Sequence, residues 1–263
     1  MSKLFDVEQY KSLKNWNDVY PDYNVQLSFS SIPQDWAHLM KNVIENNNLY
    51  LIESLLKEHL KSGKKILPYP SLVFSFFSYT KYDELKVVFL GQDPYFNIEN
   101  DVPLAMGMSF SVPHGISIPS SLNNIYNNMI KFGHINKFPS HGNLEEIAKQ
   151  GCLFLNAALT VNHKEPNSHA DLWSSFTDSI IKNISKEKDN VIFVLWGAFA
   201  RNKSILIDKN KHKILITSHP SGMSCNKKLG DEPAFSDFDH FGTINKILKD
   251  NGKRPINWNV DKL

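Results

Sequence analysis

Lys86-Val-Val-Phe-Leu-Gly-Gln-Asp-Pro-Tyr95 is an unbroken apolar run that stops abruptly in a polar, turn-forming group. A strand with one wet face alternates apolar and polar residues, whereas a strand covered on both faces reads as continuous Val, Ile, Leu and Phe. The same grammar recurs in Cys152-Leu-Phe-Leu155, Val191-Ile-Phe-Val-Leu195 and Lys213-Ile-Leu-Ile-Thr217. Helical patterns lie between the runs: 121–131 after Ser120-Ser121, and 144–150 between Asn143 and Gly151. Two more are 172–186, with Leu172, Phe176, Ile180 and Ile181, and 198–208 after Gly197; 240–250 reads as a closing helix. This alternation predicts a doubly wound α/β fold, three layers α/β/α around a central four-stranded parallel sheet. Upstream, Pro33 opens a helix with Trp36, Leu39, Met40, Val43 and Ile44 on one face. Residues 1–31 read as an irregular, aromatic N-terminal arm that packs onto the body.

Each predicted strand runs directly into a distinctive polar group: Gln92-Asp93, Asn156, Gly197 and His219. In open α/β sheets ligands bind beyond the carboxyl ends of the strands. If the four strands are parallel, these groups share one rim.

Bulk composition sets limits without choosing a function. Across 263 residues, 41% are hydrophobic and 21% charged, as in an ordinary soluble globular protein with a core large enough to need no staple. A net charge of +2 permits a nucleic-acid partner without demanding one. Cys152 and Cys225 lie far apart and form no C-x-x-C pair, which fits a reducing compartment and speaks against a disulfide framework or zinc site. No secretory h-region and no run of roughly 18 apolar residues is present, so a soluble intracellular protein is expected, with nothing to favour nucleus or cytoplasm. Gly107-Met-Ser-Phe-Ser111 lacks the final Gly of a nucleophile elbow, and no Gly-rich phosphate fingerprint occurs. His163 and His169 are not spaced as a helical metal pair.

Taken singly, the rim residues have bland readings. Asp93 can cap a turn, Asn156 can do the same after its strand, and His219 can be structural. Phe110 can be core, Tyr95 can pack beneath its loop, Met223 can cover a surface patch, and Ser121, Ser221 and Ser224 can cap turns.

Taken in order, five segments resemble family-1 uracil-DNA glycosylases over about 85 to 250. They are Gly91-Gln-Asp-Pro-Tyr95, Gly107-Met-Ser-Phe-Ser-Val112, Leu155-Asn-Ala-Ala-Leu-Thr-Val161 continuing to Asn167-Ser-His-Ala170, Leu195-Trp-Gly-Ala198, and His219-Pro-Ser-Gly-Met-Ser224. Phe241 and the helix after it match the family's end. The resemblance implies a single domain over 1–263 that hydrolyses the N-glycosidic bond of uracil in single- or double-stranded DNA, as a monomer, with no cofactor or metal. It implies that Asp93 stabilises the cationic sugar and orients water, and that a neutral His219 donates to uracil O2. Asn156 would read O4 and N3–H, Phe110 would stack on the base, Tyr95 would exclude a C5 methyl, and Gln92 would line the same site. Met223 takes the place of the family's apolar wedge, and Ser121, Gly197, Ser221 and Ser224 match positions that grip DNA phosphates. A base inside a duplex is unreachable, so such an enzyme must extrude it.

The sequence also departs from that pattern. Phe96 stands where the family usually has His, Ala198 replaces a common Ser, and only Pro119 remains of a proline-rich loop. The connection 97–106 is longer than usual for the family.

Overall fold

The structure, a computed structural model, describes residues 7–30 and 32–262; residues 1–6 and 31 of the expected arm lie outside the described residues. In chain order it contains α1 (Val7–Lys11), α2 (Trp16–Val19), α3 (Ala37–Glu45), α4 (Leu49–Lys61), the two-residue β1 (Ile66–Leu67) and β2 (Val87–Gly91). A hairpin of β3 (Ile98–Glu99) and β4 (Val102–Pro103) follows, then α5 (Ser120–Lys131), α6 (Glu145–Ala148), β5 (Cys152–Asn156) and β6 (Val161–Asn162). The chain continues with α7 (Ala170–Glu187), β7 (Ile192–Trp196), α8 (Gly197–Asn202), β8 (Lys213–Thr217) and α9 (His240–Asp250).

The four apolar runs pair into one sheet in the order β5-β2-β7-β8, every pairing parallel. All residues of β2, β5 and β7 are buried, as continuous apolar runs require, while β8 is a half-exposed edge. Phe89 stands opposite Phe154 and Val194 in register, and the two phenylalanine rings stack at 4.9 Å. Trp196 joins them on that face, and Trp258 and Phe241 of α9 close over it. On α7, Trp173, Phe176, Ile180, Ile181 and Ile184 are buried at helical spacing, and the helix packs against α3 and α4. The expected three-layer α/β/α architecture is therefore the observed one. No helix among the described residues is long and apolar enough to cross a membrane.

Several elements differ in detail from the sequence reading. The helix expected over 198–208 is α-helical only to Asn202 and continues as a 3-10 turn over Lys203–Leu206. The one expected over 144–150 contracts to Glu145–Ala148. Helix α4 was not foreseen: Ile52, Leu56 and Leu60 face the core, but exposed Tyr50, Leu51 and Leu55 make the segment apolar all round and blur its period. The described part of the arm is not irregular throughout, because Asn15 and Asp18 form a capping box that starts α2. In this described part Tyr10, Trp16, Val25 and Leu27 are buried, and the Trp16 indole N–H donates to the Pro68 carbonyl at 2.7 Å.

Candidate active site

Register fixes the floor of the site. Gly91 at the end of β2 pairs with Asn156 at the end of β5, and a Cβ at 91 would stand 2.2 Å from the Asn156 amide oxygen. Only glycine lets that carboxamide lie against the backbone. Beyond the strands, Ala157 N donates to the Gly91 carbonyl at 3.0 Å and Ala158 N to the Gln92 carbonyl at 2.9 Å, so the two loops leave the sheet stitched together. Asn156 is 5% exposed, and its amide makes no hydrogen bond to any described residue. A nearly buried carboxamide with its donors and acceptor unspent is poised for a ligand that offers the complementary pair.

Asp93 follows two residues later. Its Oδ2 accepts the backbone N–H of Asn167 at 2.9 Å, and the Asn167 side-chain oxygen accepts from Gln92 Nε2 at 2.7 Å. Burial pushes the Asp93 carboxyl above its ordinary range, and the Asn167 N–H pulls it partly back by favouring the anion. Asn167 holds φ at 61°, a left-handed conformation that Asn tolerates better than most residues, and this aims its N–H at the carboxylate.

His219 closes the opposite side. Its Nδ1 accepts the backbone N–H of Ser221 at 3.0 Å, which leaves the proton of the neutral ring on Nε2. Burial lowers its pKa, so the neutral N–H donor is the favoured form. Gly197, with φ at 90°, lies beneath it, where a Cβ would approach the His219 Cβ to 3.0 Å. Phe110 also has a positive φ, 63°, in a backbone region that costs an aromatic residue about 1–3 kcal/mol. Its carbonyl accepts from the Tyr95 hydroxyl at 3.2 Å, and its ring sits edge-on to Trp196 at 5.4 Å. The Trp196 indole N–H is in turn held by His240 Nδ1 at 3.1 Å.

Gln92, Asp93, Tyr95, Phe110, Ser121, Asn156 and His219 all line one cleft of about 240 Å³. That is below the roughly 300–1,000 Å³ of drug-sized sites, and suits one planar heterocycle with its sugar. A larger open groove of about 570 Å³ between α4 and α7 carries none of these groups. Gly197 and Ser221 do not line the cleft but support His219 from outside it. Met223 and Ser224 lie on the adjoining loop; Met223 is 82% exposed, and Ser224 N closes a turn on the Ser221 carbonyl at 3.0 Å. Asn124 of α5 tethers this loop through the Pro220 carbonyl at 2.8 Å. Sequence reasoning gave no role to Asn167, Trp196 or the lining residues Pro94 and Met108. For Asn167 the signal was its place in Asn167-Ser-His-Ala170. A backbone donor, however, leaves no mark on side-chain identity.

Phe96 also lines the cleft and packs with Leu67, Ile98, Ala105 and Val161. The longer connection after it is the β3–β4 hairpin, turned through Asn100 and Asp101 with φ of 50° and 63°. Glu99 of that hairpin accepts from the Ser117 N–H and hydroxyl at 3.1 and 2.8 Å, and so braces the loop that leads into α5. Among the described residues, no group of three or more His, Cys, Asp or Glu is placed to hold a metal ion.

A parallel sheet whose carboxyl edge carries a carboxylate, an imidazole N–H and an unspent carboxamide around a flat slot defines, as a class, a base-recognising α/β enzyme. A model of the Uracil DNA glycosylase superfamily matches residues 77–249. The uracil-DNA glycosylase of Francisella tularensis subsp. novicida is 44% identical over 226 residues, covering 86% of this chain and 98% of the relative. A probable uracil-DNA glycosylase of Acanthamoeba polyphaga mimivirus is 38% identical over 269 residues, covering 98% of this chain and 72% of that protein. The crystal structure of mimivirus uracil-DNA glycosylase superposes with a TM-score of 0.91, covering 98% of this chain and 97% of the other. The chain belongs to the uracil-DNA glycosylase superfamily.

The hydrogen bond from Ser221 makes a specific prediction. Nitrogen-15 NMR should find His219 as the Nε2–H tautomer at neutral pH, gaining its second proton only below the ordinary histidine value of about 6.5. An Nδ1–H ring, or a midpoint above that value, would contradict the assignment.

Proposed function

We propose that the protein is a family-1 uracil-DNA glycosylase that hydrolyses the N-glycosidic bond of a uracil flipped out of single- or double-stranded DNA. The product is an abasic site, the entry to base excision repair. The observation that carries this reading is the meeting of Asp93, Asn156 and His219 in one cleft, although 126 positions separate the first from the last.

Breaking the bond between the sugar C1′ and uracil N1 leaves the electron pair on the base and positive charge on the sugar. Asp93 supplies the counter-charge for the sugar and orients the water whose oxygen bonds to C1′. The Asn167 N–H favours the ionised carboxylate and so works against its burial. The departing uracil carries its charge partly on O2, where the Nε2–H of neutral His219 donates. A donor fixed in advance reorganises little as charge develops, and that is the source of its catalytic value.

Asn156 offers N–H to uracil O4 and its carbonyl to N3–H; cytosine presents the reverse pattern and would leave buried polar groups unpaired. Phe110 supplies the stacking face, Tyr95 fills the space a C5 methyl would need, and Gln92 lines the same pocket. Outside the cleft, exposed Met223 fills the stack that the flipped base vacates. Ser121 in the first turn of α5, Ser221, Ser224 and the backbone at Gly197 hold flanking phosphates. The enzyme is proposed to act as a single-domain monomer without metal or cofactor, in an intracellular setting consistent with the free, buried thiols of Cys152 and Cys225.

Purified protein incubated with a uracil-containing oligonucleotide and a chelator should leave alkali-labile sites; intact strands would end the enzyme reading. Asp93→Asn and His219→Leu should each lower kcat by about a hundredfold to a thousandfold, and near-normal turnover in either would remove that residue from the chemistry. Asn156→Asp should raise excision of cytosine relative to uracil, as read by the ratio of kcat/KM on matched oligonucleotides; an unchanged ratio refutes its reading role. Met223→Ala should cost about tenfold on duplex substrate, or about 1.4 kcal/mol, and much less on single strands. Equal losses on both would mean that Met223 is not a wedge.

A further inference from the structure

Asn167 touches both Asp93 and Gln92, so whatever holds Asn167 also sets the position of the carboxylate. It lies in the turn that links β6 to α7, and polar side chains rather than apolar packing hold that turn. Asn162 N donates to the Ser168 hydroxyl at 2.8 Å, and the Asn162 amide donates to Glu165 Oε2 at 3.0 Å, which turns the Asn162 oxygen inward. Two imidazoles meet that oxygen: His169 Nε2 at 3.1 Å and His59 Nδ1 at 3.2 Å, with 2.8 Å between the two ring nitrogens. The other nitrogen of His169, Nδ1, lies 2.7 Å from the Thr160 hydroxyl, which accepts the Trp173 indole N–H at 2.6 Å.

Donor counting gives this chain a direction. An indole N–H can only donate, so Thr160 accepts from Trp173, and its own O–H is free to donate to His169 Nδ1. His169 then carries its proton on Nε2 and donates to Asn162 and to His59 Nδ1. His169 is 1% exposed, so bulk solvent does not reach it to replace a lost partner. His59 Nδ1 is the second acceptor of that N–H, beside the Asn162 oxygen, and it ties the relay to α4. His59 stands on α4, outside the segment 77–249 that the superfamily model matches.

We infer that His59 is a positioning residue for the glycosylase reaction: by accepting from His169 it locks the 162–169 turn, and through the Asn167 N–H that turn holds Asp93 at the sugar. The backbone reinforces the same anchor, because β1, which follows α4, pairs with β6 at Ile66 opposite Asn162 and Leu67 opposite Val161. On its other side the turn is joined to the 91–96 loop by Asn167 and by Lys164 N, which donates to the Phe96 carbonyl at 2.9 Å. The turn is a bridge from α4 to the catalytic loop; on the α4 side Lys64 holds Glu165 at its surface, and His59 anchors it from within.

The inference rests on Asp93 being the catalytic carboxylate, and the test separates the two. His59→Leu keeps apolar bulk and removes the acceptor; it should lower kcat on a single-stranded uracil oligonucleotide about tenfold with KM unchanged. His59→Asn places an amide oxygen where the imidazole Nδ1 stood and should restore most of that loss. In an Asp93→Asn background, His59→Leu should add no further loss, because the carboxylate it positions is gone. If His59→Leu does not fold, His59→Gln takes its place, since the longer side chain displaces the acceptor without emptying the site, and kcat should again fall below that of His59→Asn. Wild-type kcat in the acceptor-less or acceptor-displaced variant overturns the inference, as does an equal loss with and without Asp93. Full activity in Asp93→Asn alone would instead overturn the reading of the site.

Discussion

The pairing of β2 with β5 and β7 is the constraint on which everything else at this site depends. In a parallel sheet, neighbouring strands end at the same rim. Here the register sets Gly91 beside Asn156 and Leu90 beside Leu195. The loops that follow therefore leave the sheet at one level: Asp93 lies two residues beyond β2, Asn156 ends β5 at the cleft, and the Trp196-Gly197 turn supports His219 from outside it. A slip of one residue would swap the faces to which β2 presents its side chains and take Phe89 from Phe154 and Gly91 from Asn156. The stacked pair Phe89–Phe154 and the absence of a Cβ at Gly91 both specify the observed register. The fold thus uses its hydrophobic core to set the geometry of its polar edge.

That edge bears costs which the core must sustain. Burial pushes Asp93 toward its neutral acid and His219 toward its neutral base. For His219 the direction is useful, since a neutral ring with its proton on Nε2 is a donor ready for developing charge. For Asp93 it is adverse, and the chain opposes it with backbone N–H groups rather than a cation. A lysine or arginine beside Asp93 would also hold it ionised, but in the proposed reaction it would add positive charge where the sugar becomes positive. The backbone N–H groups of Asn167 and of Asp93 itself favour the anion without that penalty. The positive φ of Phe110 and Asn167 is strain of the kind a site retains when the surrounding packing leaves no alternative.

Much of this was legible in the sequence because two strong signals coincide. Continuous apolar runs identify buried parallel strands, and the polar residues that end them mark the rim; the four strands and the seven cleft residues follow from that pattern and from the ordered motifs. Other features left no such mark. Helix α4 is apolar on its outer face as well, so its period is hidden. The Asn167 contact is made by a backbone N–H that any residue but proline possesses. The His59–His169 bond joins positions 110 apart, and no local pattern ties one histidine to a partner at that distance. Contacts made by main chain, or by polar pairs remote in sequence, become visible only once the sheet has brought their elements together.

The same reasoning joins two departures that look separate along the chain. Phe96 and the longer connection after it are one structural feature. A phenylalanine at the mouth of a cleft is costly in water unless apolar partners cover it. Two of its partners, Ile98 and Ala105, come from the connection itself, which folds back as the β3–β4 hairpin. Leu67 of β1 and Val161 of β6 complete the cluster, so the hairpin and these two strands together cover Phe96. The wall beside Asp93 thereby becomes apolar rather than hydrogen-bonding, and apolar surroundings strengthen each remaining electrostatic contact as they raise the cost of ionising the carboxylate. Part of what a polar neighbour would contribute directly is shifted to the Asn167 N–H and to the turn that carries it. The hairpin also reaches outward, where Glu99 fixes Ser117 in a loop with few prolines to stiffen it. The hairpin thus lies against the cleft wall at one end and braces the approach to α5 at the other.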